Sequence, residues 1–255
     1  MVMSAQHTIG LRMWFDALVF VSALAGGIVA SVAGFGIGSV LTPALALQVD
    51  ARLAVAAVSI PHALGTAFRF WLLGGRVDRR VLGSFGLASA AGGLIGALLQ
   101  SRIATPALMI VFGTLLIFTA AAELTGFSRW MRFEGPLAPV AGAASGLLGG
   151  LVGNQGGIRS AALLGVQLSK QAFVATATAV GLMVDAARVP VYLWLQHDAL
   201  AGIGAWIAIA IAGVIAGTLI GMRVLRWIPE TAFRRTVGVL LGLLGAAMIV
   251  GGAKG

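Results

Sequence analysis

The sequence predicts an all-α integral membrane protein with about eight transmembrane helices in two homologous four-segment halves, each opening with a glycine-broken helix. Three observations indicate this fold: the apolar composition, the apolar runs separated by short breaks, and a glycine cluster that occurs twice. Of the 255 residues, 59% are hydrophobic and only 10% are charged. A soluble domain carries about a quarter charged residues, so too few charges remain here to cover a water-facing surface. A soluble globular enzyme is therefore nearly excluded.

The basic net charge of +9 does not indicate a nucleic-acid partner. All but two of the 17 Lys and Arg residues are arginines, and most of them lie in the polar breaks. Membrane proteins concentrate such residues in their cytoplasmic loops, which explains the excess without nucleic acid. The absence of cysteine excludes disulfides, thiolate metal sites and a cysteine nucleophile. We expect no nucleic-acid partner, no metal ion and no cofactor.

Apolar segments long enough to span a membrane follow one another along the whole chain. The hydropathy pattern places them at 14–48, 53–75, 81–101, 106–123, 136–168, 171–195, 199–222 and 232–251. All are predicted to be helices, because lipid offers no hydrogen-bond partner to an open strand edge. The orientation of the termini stays open, since basic residues fall almost evenly on the two sides of the predicted membrane.

The breaks also divide the chain into five regions. We predict an N-terminal tail over 1–13, a first half over 14–123, a polar linker over 124–135, a second half over 136–251 and a C-terminal tail over 252–255. With about 20 residues for each span, no room is left for a separate soluble domain.

Two of the apolar segments are too long to be single straight spans. At ~1.5 Å per residue, 14–48 and 136–168 would each run to roughly 50 Å, against a hydrocarbon core of ~30 Å. Each contains a glycine cluster, Gly34–Gly38 in the first and Gly153–Gly157 in the second. Because glycine is a poor helix former, we predict a break inside each segment.

The two broken segments match each other. A shift of 119 residues superposes glycines, a glutamine and an arginine: Gly153 on Gly34, Gly157 on Gly38, Gln167 on Gln48 and Arg188 on Arg69. The matched Gln and Arg count for more than the glycines, because polar residues are scarce in this chain. Paired glycine-interrupted segments are typical of a transporter's binding site near the membrane midplane. The shift does not tell whether the two halves are inverted or parallel.

The repeated glycine pattern is similar to that of a known family. Gly34–Gly38 followed by Thr42-Pro43, and Gly153–Gly157 followed by Ser160 and Leu163, resemble the glycine-rich signature of the sulfite exporter TauE/SafE family. The resemblance covers roughly 14–251. It implies a multi-pass permease that moves sulfur-containing or organic anions, such as sulfite or sulfonates, across a bacterial inner membrane.

Two loops add to this resemblance, and the two breaks depart from it. Gly75 to Asp78 is similar to the family's loop after the second helix of the repeat, and Arg223 to Arg235 to the loop before the last helix. At the breaks, Asn154-Gln155 stands where the family is Ile-Gly-like, and Ser39 where it is apolar. Both departures put polar side chains at the breaks.

The glycine breaks are the first candidate substrate site. Half-helices that start near Gly36 and Gly38, and near Gly157, would turn free backbone N–H groups and positive dipole ends into the protein interior, where they can bind an anion. Close packing of helices through glycine is the alternative. Asn154 and Gln155 could also donate to an oxyanion, and we rank them above Arg159, which could face the cavity or a lipid headgroup.

Two arginines within apolar stretches are further candidates. An intramembrane Arg is costly, and Arg69 and Arg188 superpose under the repeat, so both are candidate ligands of an anion. Each lies about two turns from the end of its segment, so snorkelling to the interface is an alternative. Arg188 could also be neutralised by Asp185, three residues earlier on the same helix face.

The remaining candidates are polar side chains inside the apolar segments. His62 follows Pro61, Ser59 lies one turn earlier, and Thr178 is the repeat counterpart of Ser59. His62 could bind substrate or relay a proton, or hydrogen-bond a neighbouring helix. Asp185 is the only acid well inside an apolar segment, so His62 and Asp185 are the candidates for proton coupling.

We therefore expect a secondary transporter with a central site between the two halves, with a small anion and the lipid bilayer as partners. A passive anion channel of the same fold is the main alternative. A membrane-embedded enzyme is less favoured, because no nucleotide-binding, metalloprotease or paired-acid signature occurs. Association into a homodimer is left open.

Overall fold

A computed structural model of the protein describes residues 2–127, 135–154, 156, 159, 163, 168–224 and 230–254. All regular secondary structure in these ranges is helical, as the sequence predicts. The helices are α1 (Val2–Ala33), α2 (Ile37–Leu45), α3 (Ala51–Leu73), α4 (Arg79–Gln100), α5 (Thr105–Thr125), α6 (Leu137–Val152), α7 (Lys170–Gly202), α8 (Gly204–Val224) and α9 (Glu230–Lys254). A π-helical turn over Leu82–Gly86 interrupts α4.

Seven of the described helices are long and apolar enough to cross a membrane, and α6 is a shorter apolar helix. This count agrees with the prediction of about eight spans. The protein is a multi-pass membrane protein.

Both overlong segments are broken at their glycine clusters, which confirms that prediction. α1 ends at Ala33, and α2 begins at Ile37 after Gly34 (φ 78°) and Gly36 (φ 138°). α6 ends at Val152, and Gly153 follows with φ 75°. L side chains rarely adopt these backbone conformations, so glycine is required at the turns. Gly34 and Gly153, which the repeat shift superposes, share nearly the same φ.

After the first break the chain turns back along α1. The start of α2 packs on the middle of α1, where Ile37 lies against Gly26. At the far end of α2, Gln48 lines a cavity together with Trp14 and Phe15 near the start of the first span. α2 therefore returns the chain toward the side from which α1 entered, and α3 crosses again in the direction of α1.

Two helix pairs pack in parallel through glycines, which let the backbones approach closely. In the α1–α8 pair, Gly213 faces Phe20 and Gly221 faces Ile28. The α4–α6 pair repeats this arrangement through glycines of both helices. Each pair joins a helix of one predicted half to a helix of the other, so the two halves interlock.

Two further pairs are antiparallel. His62 of α3 faces Asp185 of α7, whereas Thr66 lies beside Gly181, one turn earlier on α7. α5 and α9 are antiparallel as well. Following the chain through these pairs, α1 runs opposite to α6, α3 to α7, α4 to α8 and α5 to α9. Because these are the helices that the repeat shift superposes, with small slips, the topology favours an inverted over a parallel repeat.

Candidate functional site

The two helix breaks meet inside the protein. Gly38 lies so close to the carbonyl oxygen of Gly153 that no side chain would fit between them. The Ser39 hydroxyl donates to Asn154 Oδ1 at 3.3 Å, and both side chains are buried. The interruptions of the two predicted halves are therefore in direct contact.

A polar stripe on α3 and another on α7 lie beside this contact. On α3, Ser59, His62, Thr66 and Arg69 follow at spacings of three or four residues, which places them on one helix face. All four are buried. α7 contributes Thr178, Asp185 and Arg188, also buried. We call His62, Arg69, Arg159, Asp185 and Arg188 the central charge cluster.

Asp185 joins two members of this cluster. His62 Nδ1 lies 2.6 Å from Asp185 Oδ2. Arg188 donates from Nε to Asp185 Oδ1 at 2.9 Å, and its Nη2 lies 2.9 Å from the same oxygen. Both carboxylate oxygens are therefore occupied. The pairing of Asp185 with Arg188, one of the two alternatives for Arg188, is present.

Arg188 also caps the broken helix α6. Its Nη1 donates to the carbonyl oxygen of Gly149 at 2.6 Å, the Tyr192 hydroxyl donates to that of Gly150, and Gln100 Nε2 donates to that of Leu151 at 3.3 Å. The last carbonyls of a helix have no partner within the helix, and lipid cannot supply one. Arg188, Tyr192 and Gln100 thus allow α6 to end inside the protein.

Arg69 and Arg159 are not satisfied in this way. Arg159 donates from Nη2 to the Gly34 carbonyl oxygen at 2.9 Å, and Arg69 has only a long 3.5 Å contact from Nη2 to Thr66 Oγ1. Both side chains are 2% exposed. On each, Nε and Nη1 are buried and have no hydrogen-bond partner among the residues that the structure describes.

The central charge cluster carries an excess of positive charge. Its three guanidinium groups face one carboxylate, and Asp185 is the only buried acid among the described side chains. Burying an uncompensated charge costs several kcal/mol unless a partner neutralises it. The partner that suits guanidinium groups is an oxyanion, which accepts charge-assisted hydrogen bonds.

The predicted site residues are only partly brought together. Arg69 and Arg188 are 2% and 1% exposed, so neither snorkels to the membrane surface. Ser59 donates to the carbonyl oxygen of Ala56 on its own helix at 2.6 Å, whereas the buried Thr178 hydroxyl has no partner.

The glycine and amide candidates at the breaks have different positions. Gly36 and Gly38 lie at the start of α2, and Asn154 contacts Ser39. Gln155 and Gly157 lie outside the described residues.

Two buried residues in or next to the cluster received little weight in the sequence analysis. Arg159 was ranked below Asn154 and Gln155, with a lipid headgroup as an alternative contact. In the structure it is buried and donates to the Gly34 carbonyl oxygen at the first break. Thr66, which was not singled out, lies beside both Arg69 and Gly181. Two signals point to Thr66: it follows His62 by one helical turn, and the repeat shift superposes it on Asp185.

A cavity of about 450 Å³ lies elsewhere, between the first span and the α7–α8 junction. Trp14, Phe15, Gln48 and Trp206 line it, and Trp206 Nε1 donates to Asp16 Oδ1 at 2.9 Å next to it. No member of the central charge cluster borders this cavity.

Comparison with known proteins assigns the chain to a family. The family model described as Sulfite exporter TauE/SafE matches residues 18–248, nearly the whole chain. Comparisons with curated proteins and with solved structures found no significant match. The family consists of membrane transporters of the anion-exporter type and not of enzymes. The architecture, the two helix breaks and this match lead to one conclusion: the chain belongs to the sulfite exporter TauE/SafE family.

Proposed function

We propose that the protein is a secondary transporter that moves small sulfur-containing or organic anions, such as sulfite or sulfonates, across the bacterial inner membrane. We place its substrate site at the central charge cluster. The observation that carries this proposal is the uncompensated positive charge of Arg69 and Arg159, which are buried next to the helix breaks with free N–H donors.

The first break supports the same assignment. α2 begins at Ile37, so its positive dipole end and its first backbone N–H groups lie at the break. Helix N-termini of this kind attract anions. Arg159 reaches the same place through its bond to the Gly34 carbonyl oxygen. A guanidinium group and a helix N-terminus thus converge where the two predicted halves touch.

The helix directions support alternating access. Inverted repeats that surround a central site allow one half to rock against the other, so that the site opens to each side in turn. Here α3 and α7, one of the two antiparallel pairs between the halves, carry four of the five members of the central charge cluster. Movement along this pair would change the surroundings of Arg69 and Arg188 together.

His62 and Asp185 are our candidates for proton coupling. His62 on α3 faces Asp185 and Arg188, which lie on α7, and it is close enough to Arg159 to interact with its charge. Gaining or losing a proton on His62 would change the charge that the substrate meets. We expect wild-type vesicles to move protons together with sulfite. His62→Gln should lose the proton movement and retain a lower sulfite flux, because His62 belongs to the proposed substrate site. Proton flux is followed with a pH-sensitive dye inside proteoliposomes.

The direct test is transport by the purified protein in proteoliposomes. We expect saturable uptake of labelled sulfite with counterflow, and its loss in the double variant Arg69→Gln/Arg159→Gln. The exposed Arg102 offers a control, because Arg102→Gln makes the same Arg-to-Gln exchange at one position outside the cluster. Linear conductance without counterflow would favour a passive channel. Flux of sulfite and sulfonates equal to that of empty vesicles would contradict the proposal.

A further inference from the structure

We propose that Arg69 and Arg159 together hold a single doubly charged oxyanion and so select dianions over monoanions of the same shape. The inference rests on the proposed anion transport. It adds the charge of the preferred substrate and the two residues that recognise it.

The first step is the charge balance of the central charge cluster. Arg188 is neutralised by Asp185, and its donors are occupied by Asp185 and the Gly149 carbonyl oxygen. His62 is held by the same carboxylate. Among the described side chains, no buried acid other than Asp185 is available, so Arg69 and Arg159 retain two positive charges without a carboxylate of their own. A monoanion would leave one guanidinium charge buried and unpaired, whereas a dianion neutralises both.

The second step is the position of the two guanidinium groups. Arg69 Nη2 lies 3.5 Å from Thr66 Oγ1. A Cβ built on Gly181 would lie 2.8 Å from Arg159 Nη1 and 3.6 Å from Thr66 Cγ2. Both arginines thus border Thr66, one from each predicted half. The absence of a side chain at Gly181 leaves the space that Arg159 occupies.

The third step is the supply of donors. Arg69 and Arg159 each present a buried Nε and a buried Nη1 without a partner. The Thr178 hydroxyl, also buried and without a partner, lies one turn before Gly181 on α7. Unmet donors at this density are costly in a protein interior. An oxyanion with several acceptor oxygens can satisfy them together.

The experiment uses a pair of anions that share a pyramidal sulfur and differ by one charge. Sulfite, at mildly alkaline pH where it is a dianion, is compared with methanesulfinate, in which a methyl group replaces one charged oxygen. Binding to the purified full-length protein is measured by calorimetry. We expect the dissociation constant to be at least about tenfold lower for sulfite, because only sulfite pairs with both guanidinium groups.

Variants of Arg69 and Arg159 test whether these two residues cause the preference for sulfite. In Arg159→Gln, the dissociation constant for sulfite should rise roughly 10- to 100-fold, as expected for one lost charge-assisted hydrogen bond. That for methanesulfinate should rise less, so that the preference disappears. Arg69→Lys keeps the charge and should retain much of the preference, which separates charge from folding. Arg102→Gln should behave as the wild type does.

The outcomes separate this inference from the proposed function. If the wild type transports both anions and binds them with equal affinity, Arg69 and Arg159 do not select dianions. The proposed anion transport would be unaffected by that result. A sulfite preference that survives both Arg159→Gln and Arg69→Gln would likewise show that these two arginines do not select dianions. A wild type that neither binds nor transports either anion would contradict the proposed function itself.

Discussion

Arg69 and Arg188 occupy matching positions of α3 and α7, yet their surroundings differ. Both are almost completely buried. Arg188 bonds Asp185 and the Gly149 carbonyl oxygen, whereas Arg69 has only a long contact with Thr66. The residue three positions before each arginine explains this difference in partners. It is the carboxylate Asp185 before Arg188 and the neutral hydroxyl Thr66 before Arg69. Arg188 therefore supports the fold, whereas Arg69 is the arginine that our proposal assigns to a ligand.

A second difference has the same direction. The repeat shift superposes Gly181 on His62 and Arg159 on Val40. In the second half, the missing side chain at Gly181 and the added guanidinium of Arg159 meet at one place. In the first half, His62 instead crosses to Asp185. Under the proposed function, the two predicted halves would therefore build one asymmetric site and not two equal ones.

The largest expected effect comes from removing Asp185, the carboxylate that pairs with Arg188 and not with Arg69. Asp185→Ala leaves Arg188 buried without its counter-charge, which should lower the free energy of unfolding by about 3–5 kcal/mol. The measurement is denaturant unfolding in detergent micelles. The double variant Asp185→Ala/Arg188→Met removes both charges and should recover much of the loss. If the single and the double variant are equally stable, the pair does not act as a unit.

Exchanging each arginine for methionine tests the comparison itself. Arg188→Met leaves the buried Asp185 carboxylate without its guanidinium partner, while the Gly149 carbonyl oxygen keeps the Gly153 N–H as its donor. The variant should lose about 3 kcal/mol of unfolding free energy. Arg69→Met removes a buried charge that has no counter-charge of its own among the described residues, so the unfolding free energy of the variant should equal or exceed that of the wild type. Sulfite transport should nevertheless be lost in Arg69→Met. Equal destabilisation by the two substitutions would show that both arginines serve the fold.

Much of the fold could be predicted because lipid restricts the alternatives. A spanning segment has to be a helix. A segment much longer than the hydrocarbon core is wide is expected to break, and the glycine clusters Gly34–Gly38 and Gly153–Gly157 indicated where. The direction of the chain after the first break could not be predicted. It depends on Ile37 packing against Gly26, a contact that hydropathy does not encode.

The candidate site was less accessible to sequence reasoning. The shift of 119 residues pointed to Arg69 and Arg188 as a pair, but it could not tell which of them has a partner. That depends on α7 presenting Asp185 to His62 and on Arg188 reaching the Gly149 carbonyl oxygen. Arg159 has no polar counterpart in the first half, so the repeat carried no signal for it.

Substitutions at the two break glycines, Gly34 and Gly153, should have effects of intermediate size on the free energy of unfolding. Gly34 and Gly153 have φ of 78° and 75°, and alanine in this left-handed region costs roughly 1–2 kcal/mol. Gly34→Ala and Gly153→Ala should therefore lower the unfolding free energy by similar amounts. Gly83→Ala is the control, because its φ is not positive and the space around it is open. A large effect at only one of the two glycines would mean that the breaks are not equivalent.

The smallest expected effect concerns the hydrogen bond between the two breaks. Ser39→Ala removes the 3.3 Å bond to Asn154 Oδ1 and leaves that buried oxygen without its donor, so it should cost about 1 kcal/mol of unfolding free energy. Ser59→Ala is the matched control. The Ser59 hydroxyl bonds a carbonyl oxygen of its own helix, and removing it orphans no group in another segment, so stability should hardly change. Since the Ser39 bond joins the two predicted halves, its loss should also alter the rate of sulfite exchange in proteoliposomes. An exchange rate that is unchanged in Ser39→Ala would show that this contact does not limit the movement of one half against the other.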